Sequence, residues 1–460
     1  MSDHYYQAEV YTIPGQHIRE YPNATSKDQE AAIQLAVKRY IPRYTDSAND
    51  GITILACPGL GLNKELYEPL WDELFNYSVE NGTFRIRSIW IADFATQGAS
   101  GVKNENILGT EPSWFDFSRD YMCIVNHFRA EMKCPIVGFG HSMGGAVLID
   151  LALRHPRLLT TLITVEPLIL PTHTGGGFAG AYALMNRPNH WPSRELAMEF
   201  FSRHPMYRNW DARVLDLFKQ YALRDDNHPT KKNTIESSSS KPVTLTTTPA
   251  QETALFARAA YPSSHSEPLS SFTPTSIQHP DFDFDPSGRA LPFYRPEAFQ
   301  ISKTITRLRP STVFVYGATT MFTTTGPAHR AMVIAVAGTG IGGSRAPALE
   351  KSKSVERQSV KQHVMEVGSH FVPLERPREV VSEVMGPWIE EKLVYWREDE
   401  KKIQAQRVWL DEKGRAKLPE DFRWWMKQTY GKNSKLSKTA GTGVAAENGL
   451  KRKIEVPAKL

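Results

Sequence analysis

The sequence predicts an α/β fold: a mostly parallel central sheet with helices on both faces and an inserted helical cap. Three observations predict it. Strand-like and helix-like stretches alternate from residue 51 onward, a glycine-flanked serine sits where one such strand passes into a helix, and the alternation lapses between residues 171 and 300 before it resumes.

The elements follow in order. "GITILACPG" (51–59) is a β-rich run closed by Pro-Gly, and "NKELYEPLWDELFNYSV" repeats its apolar residues at helical spacing. "FRIRSIWIADF" (84–94) alternates as a strand, "PSWFDFSRDYMCIVNHFRAEM" is an amphipathic helix, and "CPIVGFG" is a strand. A helix follows over 144–154, then the strand "LLTTLITVEP". Such alternation places reactive groups beyond the carboxyl ends of parallel strands. Strands return at "STVFVYGA" (311–318) and "KQHVMEVGSHF" (361–371), and "PREVVSEVMGPWIEEKLVYWRE" closes the core as an amphipathic helix.

These boundaries divide the chain into a core in two parts, residues 1–170 and 301–397, and a cap at 171–300. The cap holds a helical patch over 194–223, then a Ser/Thr/Pro-rich stretch, about 226–290, with too few periodic apolar residues to pack, which reads as a disordered loop. A Gly-rich insert (338–355), a C-terminal extension (398–430) and a flexible basic tail (431–460) complete the chain.

The turn "VGFGHSMGGAVLI" (137–149) carries the chemistry. Gly140 and Gly144 flank Ser142 as G-x-S-x-G, the spacing of a strand-to-helix turn too tight for a Cβ on either side of its crest. The serine hydroxyl is pushed outward, and the free N–H groups of the following helix point at whatever oxyanion forms beside it. A plain helix N-cap is the alternative role for Ser142, but a cap does not require the whole strand, elbow and helix context.

A serine hydroxyl needs a base. Of 14 histidines, His370 is best placed, in the loop "GSHFVPLERP" after the last strand, whereas His363 lies inside that strand. The imidazolium needs a carboxylate, and the loop after the penultimate strand, "YGATTMFTTTG", contains neither Asp nor Glu. The nearest acid at a strand end is Glu166 of "ITVEPLIL", one strand after the nucleophile, and its competing role is an ion pair with a cap arginine. The backbone N–H of Met143 forms one half of the expected oxyanion hole. Leu60 or Gly61 of "CPGLGLNKE" supplies the other, Leu60 being preferred. No metal and no organic cofactor is expected. "GTGIGG" (338–343) satisfies G-x-G-x-x-G, but "SRAPALEKSKSV" after it offers no amphipathic helix and no ribose-binding acid.

Composition excludes other classes. Three cysteines lack C-x-x-C spacing, which points to a reducing compartment without a disulfide framework or structural zinc. "MSDHYYQAEVYTIPGQ" has no basic and apolar signal regions, and "LLTTLITVEPLIL" falls short of the roughly twenty apolar residues of a membrane span. The net charge of +5 resides in residues 431–460, with seven basic and two acidic residues, so the body is near neutral and no nucleic-acid partner is expected.

"ACPGLGLNKELYEPLWDEL", "GFGHSMGGA", "ITVEP" and "VGSHFVPLERP" resemble the fungal peroxisomal α/β-hydrolases, a group that includes the yeast peroxisomal lipase and hydrolases of fungal toxin-biosynthesis clusters. The similarity spans about residues 8–225 and 291–397, and the long Ser/Thr/Pro insertion departs from the family pattern. The resemblance implies the α/β-hydrolase fold, with Ser142 as nucleophile, His370 as base and Glu166 at a Glu-Pro on the sixth strand end. It implies hydrolysis of a small-molecule acyl ester or thioester, lipase-like, through an acyl-enzyme. A catalytically silent or biosynthetic protein of the same fold that binds an apolar acyl ligand is the alternative. Ala458, Lys459 and Leu460 read as a small-basic-Leu address, so the expected location is the peroxisomal matrix and the expected partner its import receptor. Phe200, Phe201, Met206, Tyr207 and Trp210 are candidates for an acyl slot or for the cap's own core.

Overall fold

In the computed structural model, residues 4–44, 50–170, 178–226, 241–283, 291–320, 326–346, 360–406 and 417–431 are described. The chain divides into two units, with the boundary between Arg397 and Glu398. The first is built on strands β1 (Tyr6–Pro14), β2 (Gln34–Pro42), β3 (Ile52–Cys57), β4 (Ile86–Ala92), β5 (Ile136–His141) and β6 (Thr161–Val165). Between them run helices α1 (Glu68–Asn81), α2 (Gly98–Asn104), α3 (Trp114–His127) and α4 (Met143–Arg154). After the cap come β12 (Ser311–Tyr316) and β13 (Val360–Val364), giving an eight-stranded sheet in the order β1-β2-β4-β3-β5-β6-β12-β13.

Every pairing from β4 to β13 is parallel, and β2 runs antiparallel to both β1 and β4. The sequence pattern does not anticipate β1 and β2: β1 alternates buried and exposed residues loosely. The central strands β3, β5 and β6 are buried along their whole length, as strands covered on both faces must be. On one face Ile54, Phe139 and Val313 meet Leu70, Trp71 and Leu74 of α1 together with Met385 and Ile389. On the other, Leu55, Leu162 and Phe314 meet Ile124 of α3 and Val147 and Leu151 of α4. Burying each such side chain contributes roughly 1.5–3 kcal/mol before entropy is counted.

The cap contains α5 (Phe178–Met185), β7 (His190–Trp191), α6 (Arg194–Arg203), α7 (Ala212–Tyr221), β8 (Leu223–Asp225), β9 (Val243–Leu245) and α8 (Pro249–Phe256). This corrects the expectation that about 226–290 is disordered throughout. β9 pairs with β7 and β8, α8 opens on a capping box made by Thr248 and Gln251, and Leu255 is fully buried. Arg258 lies in β10 (Arg258–Ala259), which pairs with β11 (Phe293–Tyr294). Its buried guanidinium holds Glu111 at 3.1 Å and Asp281 at 3.0 Å. Elements of two to eight residues show no usable periodicity, and turn chemistry and ion pairs stand in for a long apolar face. Residues 227–240 and 284–290 lie outside the described residues.

The chain returns to the core through α9 (Glu297–Thr304) and α10 (Pro327–Val336). The G-x-G-x-x-G segment is a turn fastened to the end of α9: Gly338 N donates to Ile305 O at 3.0 Å, Gly340 N to Thr306 O at 2.7 Å and Ser344 N to Leu308 O at 2.9 Å. It opens no helix. The rest of that insert, 347–355, lies outside the described residues, as do 432–460 with the terminal tripeptide Ala458-Lys459-Leu460. In the second unit the described residues include the helix Glu420–Tyr430.

Candidate active site

The sharp turn between β5 and α4 holds Ser142 at φ 55° and ψ −121°, a backbone region that costs a non-glycine residue about 1–3 kcal/mol. Two glycines permit it. A Cβ on Gly144 would lie 2.3 Å from the Cys57 carbonyl oxygen, and one on Gly140 would lie 2.7 Å from the Gly144 carbonyl oxygen. Ser142 N donates to Val165 O at 2.8 Å, tying the elbow to β6. One residue further along β6, Glu166 has φ 51° and donates its N–H to Val315 O of β12 at 2.8 Å. Both strand tips are thus bent toward the same place.

His370 follows β13 through Gly368 at φ 97°. Its loop is fixed by Glu375, which accepts from Ser369 N at 2.6 Å and from Ser369 Oγ at 2.7 Å. His370 Nε2 lies 2.9 Å from Ser142 Oγ, and Nδ1 lies 3.3 Å from Glu166 Oε2. Glu166 is fully buried, and its carboxylate also accepts from Gly317 N at 2.8 Å and from Thr320 Oγ1 at 3.0 Å. The loop after β12, which lacks an acid, therefore holds one brought by β6. With the carboxylate fixed as acceptor, Nδ1–H donates to it and Nε2 is left to accept from the serine hydroxyl. His363 stands instead on β13, 3.6 Å from Glu383.

Two residues the sequence reading passed over complete the arrangement. His141, immediately before the serine, is fully buried, its Nε2 2.8 Å from His370 O and its Nδ1 2.7 Å from Tyr67 Oη. Tyr67 Oη accepts from Gly59 N at 2.8 Å, so its own proton goes to His141 Nδ1, and Nε2–H donates to His370. Burial, reinforced by nearby His370, pushes the His141 pKa down to about 3, so this ring is a neutral bracket. One chain of bonds joins the loop after β3, the elbow and the histidine loop. A second polar residue directly inside an otherwise apolar strand end was the available signal.

In the loop after β3, Gly59 N is engaged by Tyr67 and Gly61 N donates to Gln97 Oε1 at 3.1 Å. Leu60 lies between them on the wall of a cavity of about 420 Å³, and Ser142 and His370 also line it. Phe200, Met206, Tyr207 and Trp210 line this cavity as well, whereas Phe201 is fully buried in the hydrophobic core. No group of three or more His, Cys, Asp or Glu among the described residues could hold a metal ion. Nor is any helix among them long and apolar enough to cross a membrane.

A serine on a strand-to-helix elbow of a mostly parallel sheet, with a histidine after the last strand and a carboxylate at a neighbouring strand tip, is the architecture of the α/β-hydrolases. The chain belongs to the Alpha/beta hydrolase family, whose sequence profile matches residues 54–384. The type I acyl-CoA thioesterase mpaH of Penicillium roqueforti (strain FM164) is 33% identical over 448 residues, covering 92% of this chain and 96% of its own. Type I acyl-CoA thioesterase mpaH' of Penicillium brevicompactum is 32% identical with the same coverage. Among solved structures, the peroxisomal alpha-beta-hydrolase Lpx1 of Saccharomyces cerevisiae superposes with a TM-score of 0.60 at 16% identity, over 92% of this chain and 99% of its own, a likeness of fold.

Proposed function

We propose that this chain is a serine thioesterase that hydrolyses acyl-CoA, with Ser142 as nucleophile, His370 as general base and acid, and Glu166 as the group that orients and stabilises the imidazolium. The observation that carries the reading is the continuous line Ser142 Oγ–His370 Nε2 at 2.9 Å and His370 Nδ1–Glu166 Oε2 at 3.3 Å. The thioester, rather than the ester, is favoured by the full-length likeness to proteins named acyl-CoA thioesterases. The apolar cavity that Ser142 and His370 line suits an acyl group.

In this mechanism Ser142 Oγ attacks the acyl carbon while His370 Nε2 takes its proton. The N–H groups of Met143 and Leu60 stabilise the oxyanion: Met143 opens α4, and the neighbours of Leu60 are already bonded elsewhere. The carbon–sulfur bond then breaks, His370 protonates the departing thiolate, and the acyl group stays on Ser142. Water attacks that ester, giving its proton to His370, and collapse of the second intermediate returns the proton to Ser142 Oγ and releases the acid.

Release of free CoA thiol from acyl-CoAs, measured beside release of p-nitrophenol from esters of the same acyl chains, tests the proposal. The expected result is a higher kcat/KM for the thioesters. Faster turnover of the esters would return the reading to an esterase. An absence of turnover on both series with intact fold would favour a binding protein.

A further inference from the structure

The helix Glu420–Tyr430 of the second unit buries none of its side chains. Phe422, Trp425, Met426, Thr429 and Tyr430 recur at the i, i+3, i+4, i+7, i+8 spacing that places residues on one face of a helix. On that face Phe422 is 49% exposed, Trp425 64%, Met426 46% and Tyr430 68%, and Leu418 just before the helix is 56% exposed. Glu420, Asp421, Arg423, Trp424, Lys427 and Gln428 occupy the rest of the circumference. A helix of 11 residues is marginal in water by itself, so this one needs a surface on which its apolar face can pack.

Charge decides between the surfaces that could cover it. The helix is itself balanced, with two acidic and two basic residues, but residues 431–460 after it carry seven basic and two acidic residues, and the body of the chain is near neutral. A second copy would bring an equal positive charge against the first and offer no acidic body to offset it. An anionic bilayer attracts that charge, gaining with each basic residue near its surface, and its headgroup region takes up Trp and Tyr by preference. Attachment through one weak signal is readily reversed, and an apolar stripe beside a basic run supplies two. No helix among the described residues is long and apolar enough to cross a membrane, so this one would lie along a bilayer rather than through it.

We propose that the second unit binds the surface of an anionic bilayer, with Phe422, Trp425, Met426 and Tyr430 set into the headgroup region and the basic residues that follow drawn to the lipid charge. Glu420, opposite the apolar stripe, stays on the water side. The proposal is independent of the reaction at Ser142, because it concerns a different unit of the chain.

The test is sedimentation of the full-length protein with vesicles of phosphatidylcholine alone and with vesicles in which about one third of the lipid is phosphatidylserine. The wild-type protein is expected to pellet with the anionic vesicles, to stay in solution with the neutral ones, and to lose about tenfold in partitioning when salt rises from about 0.1 M to about 0.5 M. Trp425→Ser with Met426→Ser removes the centre of the stripe at exposed positions. It is expected to keep the wild-type urea midpoint and to bind anionic vesicles about tenfold or more weakly, whereas Trp425→Phe, which keeps the face apolar, retains binding. Sedimentation velocity without vesicles reads the rival occupant. A wild-type protein that pellets with neither vesicle, one that binds neutral vesicles equally well, or a serine double variant that binds like wild type would each overturn the proposal. A vesicle-free dimer that the serine double variant splits would assign the face to a second copy instead.

Discussion

Glu166 reaches His370 from the tip of β6 across the intervening strand β12, its Oε2 3.3 Å from Nδ1. The positive φ of Glu166 turns the chain at this point, and Gly317 N and Thr320 Oγ1 bond the carboxylate from the β12 loop. Two donors and the imidazole hold the buried carboxylate in one place, which is what an orienting acid requires.

Glu166→Gln keeps the volume and an acceptor for Gly317 but removes the carboxylate that, in the proposed mechanism, stabilises the imidazolium. Its kcat is expected to fall by about 10²–10⁴-fold with an unchanged circular dichroism spectrum. Undiminished kcat would remove Glu166 from the mechanism and send the search to other carboxylates.

Ser142 sits at φ 55° because the elbow demands it, and glycine alone adopts that conformation without strain. Ser142→Ala should lose fluorophosphonate labelling and acyl-CoA turnover. Ser142→Gly should do the same while raising stability by about 1 kcal/mol in urea unfolding. Labelling of Ser142→Ala at wild-type strength would dismiss this nucleophile, and a Ser142→Gly protein less stable than wild type would dismiss the strain.

The order of the parallel strands and the elbow were legible because they rest on local signals: apolar runs of strand length, a glycine on each side of a serine, and a histidine after the last strand. Glu166 was legible by elimination, since "YGATTMFTTTG" offers no acid, and its partners in that loop emerged only once β6 and β12 were paired. β1 and β2 were not legible, because β1 alternates only loosely, β2 is a largely buried run without alternation, and their pairing is antiparallel and non-local. The cap's β9 and α8 were missed because short elements held by a capping box and ion pairs leave no periodic trace. His141 and Tyr67 are long-range polar partners, which no spacing within one segment reveals.

Gly144 lets α4 start against the end of β3, where any Cβ would collide with the carbonyl oxygens of Cys57 and Pro58 at 2.3 and 2.4 Å. Backbone atoms on both sides leave no flexible group to yield. Gly144→Ala is therefore expected to lower the denaturation midpoint by more than a typical core substitution, a loss above about 3 kcal/mol, or to yield insoluble protein. A Gly144→Ala protein with wild-type stability and turnover would show that the elbow relaxes more freely than its close contacts imply.

The last prediction concerns pH and the bracket formed by His141. Burial, with His370 nearby, lowers the pKa of this ring from 6.5 to about 3 in the folded protein. Below pH 6.5 the unfolded chain binds a proton that the folded protein refuses until about pH 3, so stability is fully present above 6.5 and falls as the pH drops through that window. The slope from this group approaches 1.4 kcal/mol per pH unit, or about 2 kcal/mol between pH 6.5 and pH 5. Urea unfolding at these two pH values should show that loss in the wild-type protein, and His141→Gln, which has no proton to gain, should lack about 2 kcal/mol of it while being less stable at neutral pH. Tyr67→Phe supplies an independent check. It strands Gly59 N and His141 Nδ1, so stability should fall by about 1–3 kcal/mol at neutral pH. Identical acid sensitivity in the wild-type and His141→Gln proteins would mean that the buried ring takes up its proton as readily folded as unfolded, and the neutral bracket would have to be abandoned.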